Sequence, residues 1–398
     1  MKKKVLAVLL AGTMVFSMAA CGGGSKGEDS AESGSDGGTT QMSIVLRGGV
    51  YADVIKECLP AFEEEHNVTI DVQELSEDDL HTSIALNATS GDGAYDLCMV
   101  DGSWMAEFTE SGVLANLSEL GYELDDDIIE ATTSICYVDD SVYLAPYYGN
   151  VTVLMLNKAN VEEAGYSADT IQSMDDIIKI CQQAQANGMP ILLSYGGWVV
   201  DENNQPTVNT PEFTEAMNAY MELVKTGEAQ VKDDLVASID SGAATMGIGW
   251  PGWYTPTEDS AADYIALSGK ATADAEANNA NVYGIWCLGI PSNSPNSELA
   301  AELLTYLMDP EVQRGTVESG GVPCRYSSLQ DEEVLATYPQ YEVVCQALES
   351  GVYRPVISQW TQFYTTLGTE MDNIINGAKT VEQGLADAQT ELEELMAE

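Results

Sequence analysis

Aromatic side chains in short turns are the residues of this sequence best suited to chemistry. Asp101 and Trp104 follow the strand-like run 95–100, and Asn150 closes a second such turn. A flat aromatic ring stacks on the apolar C–H face of a sugar, while nearby Asp, Asn or Arg side chains bond its hydroxyls. The alternative is that each ring packs in a core with its polar tip satisfied. The aromatic residues that end strand-like runs in turns rich in Gly or Pro are Trp104, Tyr147, Tyr148, Trp198, Trp250 and Trp253.

Charged and titratable residues narrow the chemistry further. The arginines are Arg47, Arg314, Arg325 and Arg354, and the sequence has only two histidines. We expect Arg47, which ends the first strand-like run, and Arg325, which follows a Gly-Gly turn, to reach a ligand cleft; a surface salt bridge is the alternative for each. Two histidines are too few for a His-rich metal site, and they argue against His-based acid–base chemistry.

Motifs for nucleotides and metals are incomplete. Residues 247–252 match GxGxxG, but residues 253–256, Trp-Tyr-Thr-Pro, are a poor start for the helix that would face a pyrophosphate. Acidic runs such as Asp125–Asp127 lack EF-hand spacing, and the eight cysteines contain no CxxC pair. We therefore predict no catalytic residue, no cofactor and no bound metal.

Length and charge exclude whole classes of function. The chain has 398 residues, of which 45% are apolar, and this length predicts two globular domains. The 15 Lys and Arg residues are outnumbered by 64 Asp and Glu, which gives a net charge of −49. Such an acidic surface repels phosphate backbones and anionic lipids, so nucleic-acid binding and membrane attachment through a basic patch are excluded.

The first forty residues are typical of a secretory signal followed by a spacer. Lys2–Lys4 precede the apolar run Val5–Ala20, which is too short for a permanent membrane span. Residues 18–21, Met-Ala-Ala-Cys, resemble the bacterial lipobox, in which the cysteine, here Cys21, is lipidated after cleavage of residues 1–20; ordinary cleavage with a free thiol is the alternative. Residues 21–40 hold no large apolar side chain and predict a flexible tether. We expect a lipid-anchored protein on the extracellular face of the cell membrane.

Beyond residue 40, strand-like and helix-like runs alternate. Tyr95–Val100 is almost continuously apolar, as expected of a strand covered on both faces. Thr210-Pro211 gives a helix N-cap with Pro at the first helical position, and Thr380 with Gln383 forms a capping box. This alternation predicts an α/β fold. In open α/β sheets ligands bind beyond the carboxyl ends of the strands, which is where the aromatic turns should gather.

Several stretches of the sequence, taken together in their order and spacing, suggest a family. Their combination resembles the extracellular solute-binding proteins of ABC importers, in the branch that includes maltose-type and other sugar-binding proteins, over essentially all of residues 41–398. The stretches that carry the resemblance are Tyr95–Asp101, Ala145–Asn150 leading to Leu156–Lys158, Gly289–Pro291, Leu304–Val312, Gly320–Pro323 and Gly377–Gln389.

The resemblance implies a two-lobe, periplasmic-binding-protein-like fold of type II, in which mixed sheets are flanked by helices and a hinge of several crossovers joins the lobes. Lobe one would comprise residues 41–146 and 289–322, and lobe two residues 147–288 and 323–398. The crossovers would fall near residues 145–150, 284–291 and 320–325. The partners implied are a neutral mono- or oligosaccharide and the transmembrane subunits of an ABC permease, for a binding protein that acts as a monomer.

Family position also implies the ligand contacts. The dearth of Lys and Arg favours a neutral glycan over an anionic one. A tethered glycan hydrolase is an alternative that needs two facing carboxylates about 5–9.5 Å apart, and a peptide- or other-solute-binding lipoprotein is a further one. The implied contacts are Asp101, Trp104, Tyr147, Tyr148, Asn150, Trp198, Trp250, Trp253, Arg47, Arg325, Phe363 and Tyr364.

Overall fold

The computed structural model describes residues 39–91, 93–180, 184–185, 188–227, 232–256 and 259–397. The signal, the lipidated Cys21 and nearly all of the tether predicted from the sequence lie outside these ranges. The strands are β1 Thr40–Arg47, β2 Val68–Leu75, β3 Leu97–Asp101, β4 Tyr137–Val138, β5 Ser141–Val142, β6 Ala145–Tyr148, β7 Val153–Asn157, β8 Ala184–Gln185, β9 Met246–Gly249, β10 Ala262–Ile265 and β11 Trp286–Gly289. The helices are α1 Val50–His66, α2 Glu77–Asn87, α3 Met105–Glu110, α4 Lys158–Glu163, α5 Met174–Ile180, α6 Gly188–Ser194, α7 Pro211–Val224, α8 Lys232–Asp240, α9 Ser297–Leu307, α10 Pro310–Thr316, α11 Tyr326–Leu329, α12 Glu332–Thr337, α13 Gln340–Ser350, α14 Trp360–Ile375 and α15 Val381–Met396.

The strands form two mixed sheets and one short hairpin. The first sheet has the order β2-β1-β3-β11-β6, in which β1 pairs in parallel with β2 and β3 while β11 runs antiparallel to its neighbours. The second sheet has the order β10-β7-β9-β8, and β4 and β5 form the hairpin. We call the first sheet and the helices packed on it lobe one, and the second sheet and its helices lobe two. The mixed α/β character predicted from the alternating sequence pattern is confirmed.

Two hydrophobic clusters hold these layers together, and β7 lies between them. Val153 and Met155 belong to the cluster that surrounds the first sheet, whereas Leu154 and Leu156 belong to the cluster under α5, α7, α14 and α15. Successive side chains of a strand point to opposite faces, so β7 is apolar on both. Every residue of β3 is buried as well, as the nearly continuous apolar run predicted.

Two predicted helix starts are present. The Thr210 side chain accepts a hydrogen bond from the backbone N–H of Phe213, and Pro211 is the first residue of α7. Thr380 and Gln383 form the predicted capping box at the start of α15. Both devices satisfy N–H groups that the first turn of a helix leaves without a partner. In the described ranges no helix is long and apolar enough to cross a membrane.

Three chain segments cross side by side between the lobes, at residues 149–152, 281–285 and 351–354. The Gly284 N–H donates to the Asn150 carbonyl at 2.8 Å, and the Tyr283 N–H donates to the Val352 carbonyl at 2.9 Å. The first two crossings fall close to the predicted positions. The third differs, because the chain passes from the first hydrophobic cluster to the second between Leu348 and Ile357.

Residues 320–325, where the third crossing was predicted, stay with lobe one. Arg325 forms an isolated bridge with Ile128, and its guanidinium pairs with the Asp125 carboxylate at 2.7 Å. The glycine pair that suggested a hinge serves a local turn instead: Gly320, with a φ of 90°, ends a short 3-10 helix. α11, which the sequence placed in lobe two, packs on the same hydrophobic cluster as the first sheet.

Candidate functional site

A cavity of about 700 Å³ opens beyond the carboxyl end of β3, where residues of both lobes and of the crossing segments meet. Its volume falls within the range of roughly 300–1,000 Å³ that is usual for small-molecule sites. The position agrees with the rule that α/β sheets bind ligands outside the carboxyl ends of their strands. The residues that line it are Glu77, Asp78, His81, Thr82, Ser103, Trp104, Trp250, Val282, Arg354, Trp360, Thr361, Tyr364 and Thr365.

The end of β3 positions the first aromatic ring. The Asp101 carboxylate accepts hydrogen bonds from the Ser103 backbone N–H at 2.8 Å and from the Ser103 hydroxyl at 2.7 Å. This caps the 3-10 turn Gly102–Trp104 and carries Trp104 to the cavity wall. The indole is held edge-on by Trp286, with ring centroids 5.6 Å apart, and only 7% of Trp104 is exposed. Trp104 therefore reaches the cavity with only a small part of a ring that is packed in lobe one.

The first turns of α2 supply polar groups beside that ring. Ser76 caps the helix by accepting from the Asp79 N–H, and Glu77, Asp78 and His81 then face the cavity. His81 is oriented by a 2.9 Å contact with the Glu107 carboxylate. The Glu77 carboxyl is open to the water of the cavity, yet burial by the walls around it, and then the Asp101 carboxylate, raise its pKa above the usual range.

Arg354 reaches the cavity floor from the third crossing. Its Nη2 lies 2.7 Å from each oxygen of Asp101. The Asp101 side chain is 3% exposed and that of Arg354 21% exposed, so the pair is shielded from bulk water but still borders the cavity. Charge-assisted hydrogen bonds of this length are the strong ones in proteins, and the pair fixes the guanidinium against lobe one.

Lobe two supplies a wall of aromatic and hydroxyl groups. Trp250 follows β9 directly, and its indole lies against Gly284, where an added Cβ would come within 3.0 Å of the ring. The first turns of α14 bring Trp360, Thr361, Tyr364 and Thr365 to the cavity, because residues four apart on a helix, here 360 with 364 and 361 with 365, lie one above the other. Trp360 is 6% exposed and stacks on Phe363 at 5.7 Å, whereas Tyr364 is 60% exposed.

Some of the residues predicted from sequence meet at this cavity. Trp104, Trp250 and Tyr364 line it, and Asp101 lies directly beneath Arg354. Arg47 and Asn150 do not line it but contact Tyr51: the Arg47 guanidinium is 5.9 Å from the Tyr51 ring, and the Asn150 amide donates to the Tyr51 hydroxyl at 3.5 Å.

The Tyr51 hydroxyl accepts this hydrogen bond in its neutral form. Burial raises its pKa to about 12, and Arg47 opposes that rise. Its ring packs edge-on against Tyr148, with centroids 4.8 Å apart. The Asn150 side-chain oxygen is buried and has no hydrogen-bond partner among the residues that the structure describes.

Other predicted contacts lie away from the cavity. Tyr147 and Tyr148 are within β6 and are buried, and the Tyr148 hydroxyl donates to the Gly320 carbonyl at 2.7 Å. Phe363 is fully buried in the cluster of lobe two. Arg325 is 1% exposed and pairs with Asp125 and Asp127, which is the salt-bridge alternative. These positions were predicted to touch ligand, and their packing requirements outweigh that use.

The remaining two indoles also lie outside the cavity lining. Trp253 packs against the cluster of the first sheet, close to Gly249 and Met155. Trp198 packs against the cluster of lobe two, and its carbonyl accepts from the Thr207 hydroxyl at 2.7 Å. Each ends a strand-like or glycine-rich run, but the turn directs the ring to the protein and not to the cavity.

Ten of the thirteen lining residues were not predicted from sequence, and the charged, imidazole and indole side chains among them are Glu77, Asp78, His81, Arg354 and Trp360. A signal existed for the acidic pair, because Ser76 is an N-cap residue directly after a strand, and such a helix start lies at the same sheet edge as Asp101. Arg354 and Trp360 had no local signal of this kind. Across the described ranges, no group of three or more His, Cys, Asp or Glu side chains is arranged to hold a metal ion.

Comparison with known proteins finds relatives that span most of the chain. The chain is 22% identical to a probable amino-acid ABC transporter periplasmic-binding protein of Sinorhizobium fredii, over 84% of both chains. It is 23% identical to the diacetylchitobiose-binding protein of Streptomyces coelicolor, over 90% of both chains. Its fold is similar to that of an ABC transporter solute-binding protein from Thermotoga lettingae bound with α-D-tagatose, with a TM-score of 0.77 and 22% identity over 89% of this chain and 99% of that one.

These relatives agree with the two-lobe α/β fold that the resemblance implied. Residues 46–314, more than half of the chain, match the family described as bacterial extracellular solute-binding protein. This chain belongs to the family of bacterial extracellular solute-binding proteins.

Proposed function

We propose that this protein binds a neutral sugar or oligosaccharide between its two lobes and delivers it to the permease of an ABC importer without altering it. The observation that carries the proposal is the cavity of about 700 Å³ whose walls combine Trp104 of lobe one with Trp250, Trp360 and Tyr364 of lobe two. Aromatic faces suit the C–H faces of sugar rings, and the polar groups beside them suit hydroxyls.

The position of the cavity supports capture by closure. A ligand held between two lobes joined by three crossings stabilises the state in which both walls touch it. Closure also removes water, which strengthens each polar contact. A permease that recognised this closed state would distinguish loaded from empty binding protein.

The names of relatives support a carbohydrate ligand. One curated relative is named for diacetylchitobiose and another, 21% identical over 98% of this chain, for galactooligosaccharides. The sequence supports the place of action: the basic residues and apolar run before Cys21 have the order of a lipoprotein signal, and residues 21–40 would tether the body to the membrane.

An amino acid is a second candidate ligand. Arg354 and the carboxylates Glu77 and Asp78 line one cavity, and these are the signs of charge that the two ends of an amino acid require. The relative from Sinorhizobium fredii is named as a probable amino-acid-binding protein. The pairing of Arg354 with Asp101 weighs against this candidate, because the guanidinium already has its counter-charge.

Thermal unfolding of the ligand-stripped body, from residue 39 onward, separates these candidates. A ligand that binds only the folded state raises Tm. At a free concentration of a hundred times its Kd it adds about 2.7 kcal/mol to the free energy of unfolding. We expect stabilisation by at least one of maltose, diacetylchitobiose, D-tagatose and D-mannitol, and none by the twenty amino acids. Stabilisation by amino acids alone would overturn the sugar assignment. Chromatography of the sugars after prolonged incubation tests the hydrolase alternative, and we expect them unchanged.

A further inference from the structure

We propose that Arg354 anchors the ligand, that Arg354 and Glu77 together bind two neighbouring hydroxyl groups of a neutral sugar, and that Asp101 is a positioning residue that does not touch the ligand. This inference rests on the proposed function and adds to it the residues that select the sugar. It also changes the role of Asp101, which the sequence analysis placed among the ligand contacts.

The hydrogen bonds and the burial of Asp101 together keep it from a ligand. Its Oδ1 accepts from the Ser103 N–H, the Ser103 hydroxyl and the Arg354 Nη2, and its Oδ2 accepts from the same Nη2 at 2.7 Å. Three of these hydrogen bonds fall on Oδ1 and one on Oδ2, so most of the acceptor sites of the carboxylate are used within the protein. Its 3% exposure leaves no surface for a sugar.

The guanidinium of Arg354, by contrast, has donors to spare. Arginine carries five N–H groups, and only those on Nη2 are engaged by Asp101. Within the part of the chain that the structure describes, no residue accepts a hydrogen bond from its Nε or Nη1. Arg354 lines the cavity and its side chain is 21% exposed, so these donors are available to water or to a ligand that enters it.

Glu77 supplies the complementary acceptor. Its carboxyl lines the same cavity and is close enough to Arg354 and Arg47 for both to stabilise its charged form. A hydroxyl group both donates and accepts, so two neighbouring hydroxyls can accept from Arg354 while donating to Glu77. Because Asp101 neutralises the guanidinium, and Glu77 and Asp78 add negative charge, the floor offers donors without attracting anions. The ligand class is therefore a neutral compound with adjacent hydroxyls.

Four variants test this pairing: Arg354→Lys, Glu77→Gln, Asp101→Asn, and Arg314→Lys as the control. Arg314 pairs with Asp331 and Glu333 on the surface and lines no part of the cavity. Calorimetry would use the tightest-binding sugar among maltose, diacetylchitobiose, D-tagatose and D-mannitol, its deoxy analogues, and D-glucuronate as the anionic probe. Unfolding of each ligand-free variant checks its fold, and Glu77→Gln, which changes an exposed side chain, keeps the test open if Arg354→Lys is unstable.

We expect Arg354→Lys and Glu77→Gln to weaken binding of the neutral sugar about tenfold to a hundredfold, and Arg314→Lys to leave it unchanged. For each deoxy analogue the measured quantity is the ratio of its Kd to that of the parent sugar. For the analogue with the largest ratio in wild type, both variants should reduce this ratio at least about fivefold, because its missing hydroxyl is the one they no longer bind. Asp101→Asn should raise the affinity for D-glucuronate relative to that for the neutral sugar by about tenfold, because the Arg354 guanidinium loses its counter-charge. A purely structural role for Asp101 would not produce this change.

Two results would overturn the inference in distinguishable ways. In the first, wild type binds a sugar, and Arg354→Lys and Glu77→Gln bind that sugar within about twofold of wild type and rank the deoxy analogues as wild type does. The assignment of two hydroxyls to Arg354 and Glu77 is then wrong, while the proposed function stands. If wild type binds no sugar of the set but binds amino acids, the proposed function fails and the hydroxyl assignment fails with it.

Discussion

The two walls of the cavity differ in charge. The wall of lobe one carries the ionisable groups Glu77, Asp78 and His81 beside one indole, whereas the wall of lobe two carries Trp250 and α14 residues that are all aromatic or hydroxyl-bearing. Arg354, from a crossing segment, lies between them and is paired with lobe one. On the function proposed above, lobe one would select the ligand by hydrogen bonds and charge, and lobe two would add uncharged aromatic area for stacking.

This division has a structural cause. Strands β1, β2 and β3 are parallel, so their carboxyl ends bring helix starts and polar turns to one edge. Lobe two reaches the cavity through the turn after β9 and through the side of α14, where apolar rings are supported by the core beneath. Polar groups at strand ends are fixed by backbone caps, and rings are fixed by packing.

The largest expected effect is the loss of protein stability when a buried ring of the lobe-two wall is removed. Trp360→Ala should lower the free energy of unfolding by about 3–5 kcal/mol, because the ring is 6% exposed and packs on Phe363. Tyr364→Ala, which removes a ring that is 60% exposed, should change it by no more than about 0.5 kcal/mol. Urea denaturation measures both. Similar losses for the two would contradict the view that this wall combines a core residue with a free one.

The next effect concerns the ion pair at the floor. Arg354→Met should lower the free energy of unfolding by about 3 kcal/mol at neutral pH, because Asp101 is buried and would lose its counter-charge. Arg314→Met removes an exposed arginine that also pairs with a carboxylate, and we expect a clearly smaller loss. Urea denaturation of both variants makes the comparison. Equal losses would mean that the floor pair is no better shielded than the surface pair.

A smaller effect tests how closely Trp250 is seated. In Gly284→Ala the new Cβ would lie 3.0 Å from the indole, so the ring must shift, and we expect a loss of about 1–2 kcal/mol in stability with weaker sugar binding. Gly315→Ala is the matched control, since Gly315 lies in α10 with nothing within 4 Å of the added Cβ. It should stabilise by about 0.5–1 kcal/mol. A neutral Gly284→Ala would show that the Trp250 wall is loose.

Local sequence patterns were sufficient for much of the fold. The apolar run that became β3 and the caps at Thr210 and Thr380 were correct because each depends on neighbouring residues alone. Trp104 and Trp250 line the cavity for a related reason, since Trp104 ends the 3-10 turn after β3 and Trp250 directly follows β9. Tyr147 and Tyr148 were misplaced because β6 continues through them, and the turn begins only at residue 149.

What the sequence could not reveal depends on distant pairing. Arg354 and Asp101 are 253 residues apart, and their contact exists only because the third crossing runs beside residues 281–285. Trp360 faces the cavity because of how α14 packs on lobe two, which no local motif encodes. Arg325 shows the converse: its predicted role in the cleft failed because Asp125 and Asp127, far away in sequence, bind it elsewhere.

The smallest effect concerns the pH dependence of the charged wall. Burial and the Asp101 carboxylate raise the pKa of Glu77 in the folded protein, so its charged form is less stable there than in the unfolded chain, where the pKa is about 4.3. Above the folded pKa this charge opposes folding, and the opposition vanishes as the pH falls through that pKa and below about 4.

Glu77→Gln should therefore raise the free energy of unfolding at about pH 7 and leave it unchanged at about pH 3.5. Urea denaturation at both values, with Glu391→Gln on the exposed side of α15 as the control, measures the difference. If Glu77→Gln raised the free energy of unfolding equally at the two pH values, the effect would come from the packing of the side chain and not from its charge.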